Sequence, residues 1–91
     1  MAKTFHVQMI TPDKIFYEGD VVSLVAPGEE GYLGVLADHA PLISNLRSGK
    51  IALTVRPGDP PIVFHSLGTG FLEVLKNQVT LLLRTVETKG A

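Results

Sequence analysis

The sequence has 91 residues, of which 45% are apolar and 19% charged, and its formal net charge is −1. The length is below that of two independent domains, and this balance is typical of a folded chain rather than a disordered one. The near-neutral charge, without a run of like charges, argues against an electrostatic face for nucleic acid or lipid. We therefore predict one domain over residues 1–91.

The sequence contains no cysteine, which excludes disulfides and thiolate metal sites. No apolar run approaches the ~20 residues that a membrane-spanning helix needs, and the first residues do not resemble a signal peptide. We expect an intracellular protein whose contact with a membrane passes through another protein.

Short segments with a period-two pattern recur along the chain. In the first, apolar Phe5, Val7 and Met9 alternate with His6 and Gln8, as in a half-buried strand. Further strands are predicted at residues 21–26, 51–55, 62–67, 71–75 and 79–83. Strands of this length and spacing favour a β-sandwich or a barrel.

Turn-forming residues separate these segments. Glu18-Gly19-Asp20 is predicted as a turn, and Lys76-Asn77-Gln78 as a tight hairpin connection. Residues 37–46 break the alternation at Pro41, so we expect a turn or a short 3₁₀ segment there.

Residues 27–34 are glycine-rich and are predicted as a loop, with glycines that allow positive φ or close backbone approach. Phosphate binding is not expected, because no Lys-Ser/Thr ending follows and Glu29 and Glu30 would repel it. The segment is either a plain connection or a protein contact, since Tyr32 is of a type enriched at interfaces.

Two interpretations also remain for the segment Asp38-His39-Ala40-Pro41-Leu42-Ile43. The apolar residues could close one end of the sandwich. Alternatively, the segment is a docking surface, where Pro41 pre-sets the backbone and His39 offers a polar contact.

An enzymatic function has weak support in the residue pattern. His6, His39 and His65 are scattered without metal-ligand spacing. Asp38-His39 and His65-Ser66 contain triad residue types, but no Gly-x-Ser-x-Gly elbow is present and adjacent strand residues point to opposite faces. A small hydrolase that uses His39 or His65, or a free-standing adaptor, is kept as the alternative.

Four motifs occur in a characteristic order: Gly31-Tyr32-Leu33-Gly34, His39-Ala40-Pro41-Leu42, Gly49-Lys50-Ile51 and Gly70-Phe71-Leu72-Glu73-Val74. With these motifs the sequence resembles the epsilon-subunit family of F-type ATP synthases over nearly its whole length. The resemblance implies a β-sandwich of two five-stranded sheets at about residues 4–86, followed by a short C-terminal tail.

The resemblance also implies a function. It predicts a non-catalytic rotor subunit of the central stalk, without a cofactor, that links the gamma shaft to the c ring. Proton or sodium flow would thereby be coupled to ATP synthesis, with the catalytic alpha/beta assembly reached only indirectly. The expected location is peripheral, on the cytoplasmic face of an energy-transducing membrane, most simply the bacterial inner membrane.

Site residues follow from the resemblance and the exposed segments together. Glu29, Glu30, Gly31 and Tyr32 are predicted to contact the c ring. His39, Ala40, Pro41 and Leu42 are predicted to contact gamma or the ring.

The sequence departs from the family pattern in three places. Tyr32 stands where members often carry an acidic or other polar residue, and Thr69 where a second glycine is common. Members commonly continue into a C-terminal helical hairpin, whose regulatory and nucleotide-binding roles are therefore not transferred. Residues 84–91 are expected to stay frayed or to extend the last strand.

Overall fold

The computed structural model describes residues 3–88, which form ten β-strands and no helix. In chain order the strands are β1 (Phe5–Ile10), β2 (Ile15–Val21), β3 (Ser23–Gly28), β4 (Gly31–Val35), β5 (Leu42–Leu46), β6 (Gly49–Thr54), β7 (Ile62–Leu67), β8 (Gly70–Leu75), β9 (Gln78–Leu82) and β10 (Thr85–Thr88). Over this range no helix has the length and apolar character needed to cross a lipid bilayer. The all-β prediction is confirmed.

Hydrogen bonds link all ten strands, but β3 and β5 share only one residue pair, and at this point the strands divide into two sheets of five. One sheet has the order β10-β7-β6-β3-β4, and the other has the order β5-β8-β9-β1-β2. The β1–β9 pair is parallel, whereas the hairpins that flank it are antiparallel. The sheets are bonded at one corner, where Gly28 of β3 lies opposite Leu46 of β5. The predicted sandwich of two five-stranded sheets is therefore confirmed.

Alternate residues of the strands face a single apolar core. In β1, Phe5, Val7 and Met9 are buried while the residues between them are half-buried, as predicted. The largest fully buried side chains come from both sheets: Met9, Leu24, Leu46, Ile51, Leu53, Leu72 and Leu81. Each such side chain contributes about 1.5–3 kcal/mol. This burial determines which residues of each strand point outward.

The hairpin predicted at residues 76–78 is confirmed. Leu75 lies opposite Gln78, and the two residues between them, Lys76 and Asn77, have φ of 51° and 60°. Two successive left-handed residues are the signature of a type I′ turn, whose twist matches that of the flanking strands.

The turn predicted at Glu18-Gly19-Asp20 is wrong, because these residues belong to β2. Glu18 pairs with Gln8 and Gly19 with Val7 of β1. Strand β2 is at the edge of its sheet, so polar side chains cost little there. The ladder with β1 stabilises a strand that has no clear apolar alternation.

The 3₁₀ expectation for residues 37–46 is also wrong. A turn does occur at Ala37 and Asp38, but β5 follows it and pairs with β8 from Leu42 to Leu46. Pro41 immediately precedes the strand, where its missing N–H removes no ladder hydrogen bond.

The C-terminal residues up to Thr88 are neither frayed nor a continuation of β9. They form β10, which pairs with β7 and buries Val86. Burial of this one apolar side chain favours the strand. Residues 89–91 of the expected tail lie outside the described residues.

Candidate partner-binding site

The predicted loop over residues 27–34 is instead the β3–β4 hairpin, with Glu29 and Glu30 as its turn. Gly31 has φ of +142°, which a residue with a side chain rarely adopts. A Cβ on Gly28 would lie 2.7 Å from the Gly31 carbonyl oxygen. Both glycines thus permit the tight return of the chain, whereas the space around a Cβ on Gly34 is open. We call this element the acidic hairpin.

Tyr32 is 60% exposed but does not lie at the tip of the acidic hairpin, because it pairs with Pro27 within β4. Its hydroxyl accepts a long hydrogen bond of 3.4 Å from the Lys50 backbone N–H. A Cβ on Gly49 would be 3.1 Å from this hydroxyl. The ring therefore lies along the outer face of the sheet, and the hydrogen bond of its hydroxyl with Lys50 and its close approach to Gly49 fix its position.

An open depression of about 410 Å³ lies beside the acidic hairpin, lined by residues 29–33 and by residues 43–45 of β5. Its walls carry the exposed carboxylates of Glu29 and Glu30 together with Ser44 and Asn45. Such a surface suits a polar protein loop better than a small molecule, which prefers an enclosed, mostly apolar pocket.

The second predicted contact, residues 39–42, runs from the Ala37-Asp38 turn into β5. Leu42 packs against the core, while Ala40 and Pro41 are exposed. The half-buried ring of His39 contacts the Ala40 carbonyl oxygen through Nδ1 at 2.7 Å. We call residues 39–42 the Pro41 segment; it has both an inward-facing and an outward-facing part.

The two predicted contacts lie at opposite ends of β5. The Pro41 segment enters the strand at Leu42, and the last residue, Leu46, lies opposite Gly28 of the acidic hairpin. Four residue steps along a strand correspond to about 14 Å. The two contacts thus lie at the two ends of one strand, and Ile43 between them lines the depression beside each.

An exposed apolar surface lies on the outer face of the same sheet, and of its residues only Ile43 belongs to a segment that the sequence indicated as a docking surface. Ile43 is 71% exposed, Phe71 49% and Leu82 48%. Phe71 pairs with Leu82, and these side chains line a dimple of about 260 Å³ with Ile43. We call these three residues the Ile43 patch.

The Ile43 patch is continuous with the Pro41 segment. A further depression of about 430 Å³ is lined by residues 41–43 and by residues 73–75 of β8. The sequence of β8 contains a sign of this surface, because Phe71 and Leu75 are apolar although they occupy the outward-facing positions of the strand. Apolar residues on both faces of a strand indicate that both faces are covered.

His6 is paired with two carboxylates on the outer face of β1 and β2. Its Nδ1 is 3.0 Å from an Asp20 oxygen and its Nε2 is 2.9 Å from a Glu18 oxygen. Hydrogen bonds to Asp20 and then Glu18 raise the pKa of His6. Over the described range no His, Asp and Glu side chains are arranged to hold a metal ion.

In the hydrolase alternative, the neighbouring residues His65 and Ser66 lie on opposite sides of β7. Ser66 is only 1% exposed, and within residues 3–88 its hydroxyl has no hydrogen-bond partner. The neighbouring His65 is half-buried on the opposite side of β7. A serine in the core cannot meet a substrate, so His65-Ser66 does not form a catalytic pair.

The sequence matches the family described as "ATP synthase, Delta/Epsilon chain, beta-sandwich domain" over residues 4–89. It is 41% identical over 87 residues to the ATP synthase epsilon chain of Koribacter versatilis, a match that covers 96% of this chain and 59% of that one. The epsilon chain of Chlorobium limicola is 37% identical over 84 residues, with 92% of this chain and 93% of that chain covered.

Some relatives are considerably longer than this chain. The match to the ATP synthase epsilon chain of Dichelobacter nodosus, 39% identical over 82 residues, spans 90% of this chain but only 56% of that one.

Solved structures share the fold. A chain of the Euglena gracilis mitochondrial ATP synthase, described as OSCP/F1/c-ring, superposes with a TM-score of 0.85 at 18% identity, covering 93% of this chain and 53% of that one. A chain of the Tetrahymena thermophila mitochondrial ATP synthase, described as central stalk/cring, gives a TM-score of 0.77 at 15% identity, covering 96% and 68%. The match over residues 4–89 and the relatives near 40% identity together show that the chain belongs to the ATP synthase delta/epsilon β-sandwich family.

Proposed function

We propose that the chain is a non-catalytic rotor subunit of an ATP synthase, which joins the gamma shaft to the c ring and so couples ion flow to ATP synthesis. Family membership supports this role, since the relatives are named ATP synthase epsilon chain. The observation that carries it is that the two predicted contacts lie at opposite ends of β5, so that one strand connects them.

In this proposal the acidic hairpin meets the c ring. The exposed Glu29 and Glu30 at its turn offer carboxylates to a polar or basic loop, and Tyr32 adds an exposed aromatic surface. The depression beside the hairpin accepts a protruding loop without requiring a deep pocket. An interface of this kind depends on complementary charge, which favours correct orientation more than high affinity.

The gamma subunit covers the Pro41 segment and the Ile43 patch. Contiguous exposed apolar side chains rimmed by polar residues are typical of protein interfaces. Phe71 and Ile43 supply the apolar centre, while Glu73 and Asn45 lie beside them and are exposed. An apolar contact suits a partner that turns together with this subunit, because permanent interfaces are the more hydrophobic class.

The whole role is therefore interfacial. A proton- or sodium-driven ring and the gamma shaft exert torque on the same small domain, and its hydrogen-bonded sheets transmit that torque. We place the subunit peripherally on the cytoplasmic face of an energy-transducing membrane, in a bacterial inner membrane, attached through its complex.

Site-specific photo-crosslinking in the assembled complex tests this function. A photoreactive residue at Tyr32 should crosslink to c, and one at Ala40 should crosslink to gamma. The exposed Glu87 on the outer sheet edge is the matched control and should crosslink to neither. Crosslinks from Tyr32 to gamma alone, never to c, would contradict the assignment of the acidic hairpin.

A further inference from the structure

Asp38 and Asn77 are joined by a reciprocal pair of hydrogen bonds, although they are 39 positions apart in the sequence. The Asp38 backbone N–H donates to Asn77 Oδ1 at 2.6 Å, and Asn77 Nδ2 donates to Asp38 Oδ1 at 3.0 Å. Lys3 Nζ donates to the other carboxylate oxygen at 2.6 Å. The three residues thus connect the approach to β1, the turn before β5 and the β8–β9 turn.

Both residues of the pair have left-handed backbones, with φ of 65° at Asp38 and 60° at Asn77. Asx residues tolerate this region better than most but glycine adopts it without steric cost. The side chains are therefore not required by the backbone geometry. They are required only for the contact itself. The hydrogen bond with Lys3, and to a smaller extent that with Asn77, lowers the pKa of Asp38.

Of the two residues in the pair, only Asn77 is fixed by the hydrogen bonds of a sheet. The Asn77 carbonyl oxygen accepts the His6 backbone N–H at 2.9 Å, and Gln78 begins β9, so Asn77 is held by the sheet. Residues 39–41 of the Pro41 segment have no comparable ladder, because the pairing of β5 with β8 begins at Leu42. Its described backbone contact before β5 is the 3.3 Å bond from His39 N–H to the Leu36 oxygen.

We propose that the Asp38–Asn77 pair, with Lys3, is a clamp that positions the Pro41 segment for docking on gamma. This inference rests on the proposed function. Asp38 immediately precedes His39, so fixing its backbone N–H and carboxylate sets the direction in which Ala40 and Pro41 leave the turn. A segment ordered before binding loses less conformational entropy on docking, and its affinity is correspondingly higher.

Glycine substitutions separate positioning from folding. Asn77→Gly removes both hydrogen bonds of the pair, whereas Asp38→Gly removes those of its carboxylate with Asn77 and Lys3 and keeps its backbone N–H. Both variants keep the left-handed backbone, so the free energy of unfolding should stay the same or rise. The affinity of the full chain for purified gamma should fall by about tenfold, the order expected for a few newly mobile groups. The double variant should lose less affinity than the sum of the two single losses, because both substitutions remove the bond from Asn77 Nδ2 to Asp38 Oδ1.

Lys76→Gly is the matched control, since Lys76 shares the turn and has φ of 51° but takes no part in the clamp. It should bind gamma like the wild type. Faster hydrogen exchange of residues 39–42 is expected in the two clamp variants and not in the control. The free energy of unfolding, the affinity for gamma and the rate of hydrogen exchange together distinguish positioning of the Pro41 segment from a general effect on the hairpin.

The possible failures are distinct. If the wild-type chain binds gamma and the clamp variants bind equally well, the clamp inference is overturned while the proposed function stands. A loss of affinity that follows an equal loss of stability, or that Lys76→Gly reproduces, also overturns it. If the wild-type chain does not bind gamma at all, the proposed function itself fails.

Discussion

Gly28 lies directly opposite Leu46 where the two five-stranded sheets are bonded to each other. Two backbone hydrogen bonds flank this pair, from Glu29 N–H to the Asn45 oxygen at 3.1 Å and from Arg47 N–H to the Pro27 oxygen at 3.0 Å. In such a pair the two Cα atoms approach most closely. The corner also holds the acidic hairpin in place relative to β5, and its geometry depends on the absence of a side chain at Gly28.

Gly28→Ala should destabilise the chain by about 1–3 kcal/mol, the cost of inserting a methyl group into a packed site. The new Cβ would lie 2.7 Å from the Gly31 carbonyl oxygen and 3.0 Å from Leu33 Cγ. Gly34→Ala is the control, because its Cβ would meet nothing within 4 Å. Urea unfolding measures both. Equal urea midpoints for the two variants would show that the corner accommodates the added methyl group without loss of stability.

Val74→Asp should unfold the chain. Val74 is 2% exposed, and an unpaired buried carboxylate costs several kcal/mol, a large part of the ~5–15 kcal/mol that stabilises a domain. Leu75→Asp is the matched control on the neighbouring position, where the side chain is 48% exposed. Thermal melts followed by circular dichroism compare them. A Val74→Asp variant that melts like the wild type would rule out an inward-facing Val74.

Stability should depend on pH through His6. Its pKa is raised above the ordinary 6.5 by Asp20 and Glu18, so its contribution is fully present below pH 6.5. The contribution is lost as the pH rises through the raised folded-state pKa. Because these are surface pairs, the effect is less than about 1 kcal/mol.

The comparison is between the wild type and His6→Gln, unfolded in urea at several pH values from 5.5 to 9. The stability advantage of the wild type should shrink as the pH rises. The neighbours of His6 in the register of β1 and β9 are uncharged, with Gln78 directly opposite, so Glu18→Gln with Asp20→Asn should abolish the trend. If the difference in free energy of unfolding between the wild type and His6→Gln is constant across this pH range, the ion pairing of His6 with Asp20 and Glu18 is refuted.

Polar substitutions in the Ile43 patch should weaken the binding of gamma. Phe71→Ser and Ile43→Ser each remove an exposed apolar anchor, which at an interface centre is worth roughly 1–3 kcal/mol, or about 5- to 150-fold in Kd. Folding should be unaffected because both side chains are largely exposed. Ile62→Ser, on the other sheet and 40% exposed, is the control in the same titration. Equal affinity of all three variants would exclude the Ile43 patch as the gamma contact.

The local sequence pattern was sufficient to predict the strands that have one buried face. In β1 and β9 the apolar residues alternate because the strand itself has a period of two. The Lys76-Asn77 turn was equally predictable, since a two-residue connection with left-handed φ favours few residue types. The family resemblance, and with it the ten-stranded sandwich, rests on the order of short motifs that the sequence shows directly.

The remaining features required the tertiary structure. Strand β2 forms because the preceding strand β1 completes its hydrogen bonds, and residues Leu42 to Leu46 form a strand because β8, far along the chain, completes theirs. A polar or proline-preceded segment carries no local sign of that pairing. The Ile43 patch joins residues of β5, β8 and β9, and the clamp joins Asp38 to Asn77. Both depend on register between strands far apart in the chain. Alternation along one strand determines which side is buried, whereas only the packed sheets determine which exposed side chains become neighbours.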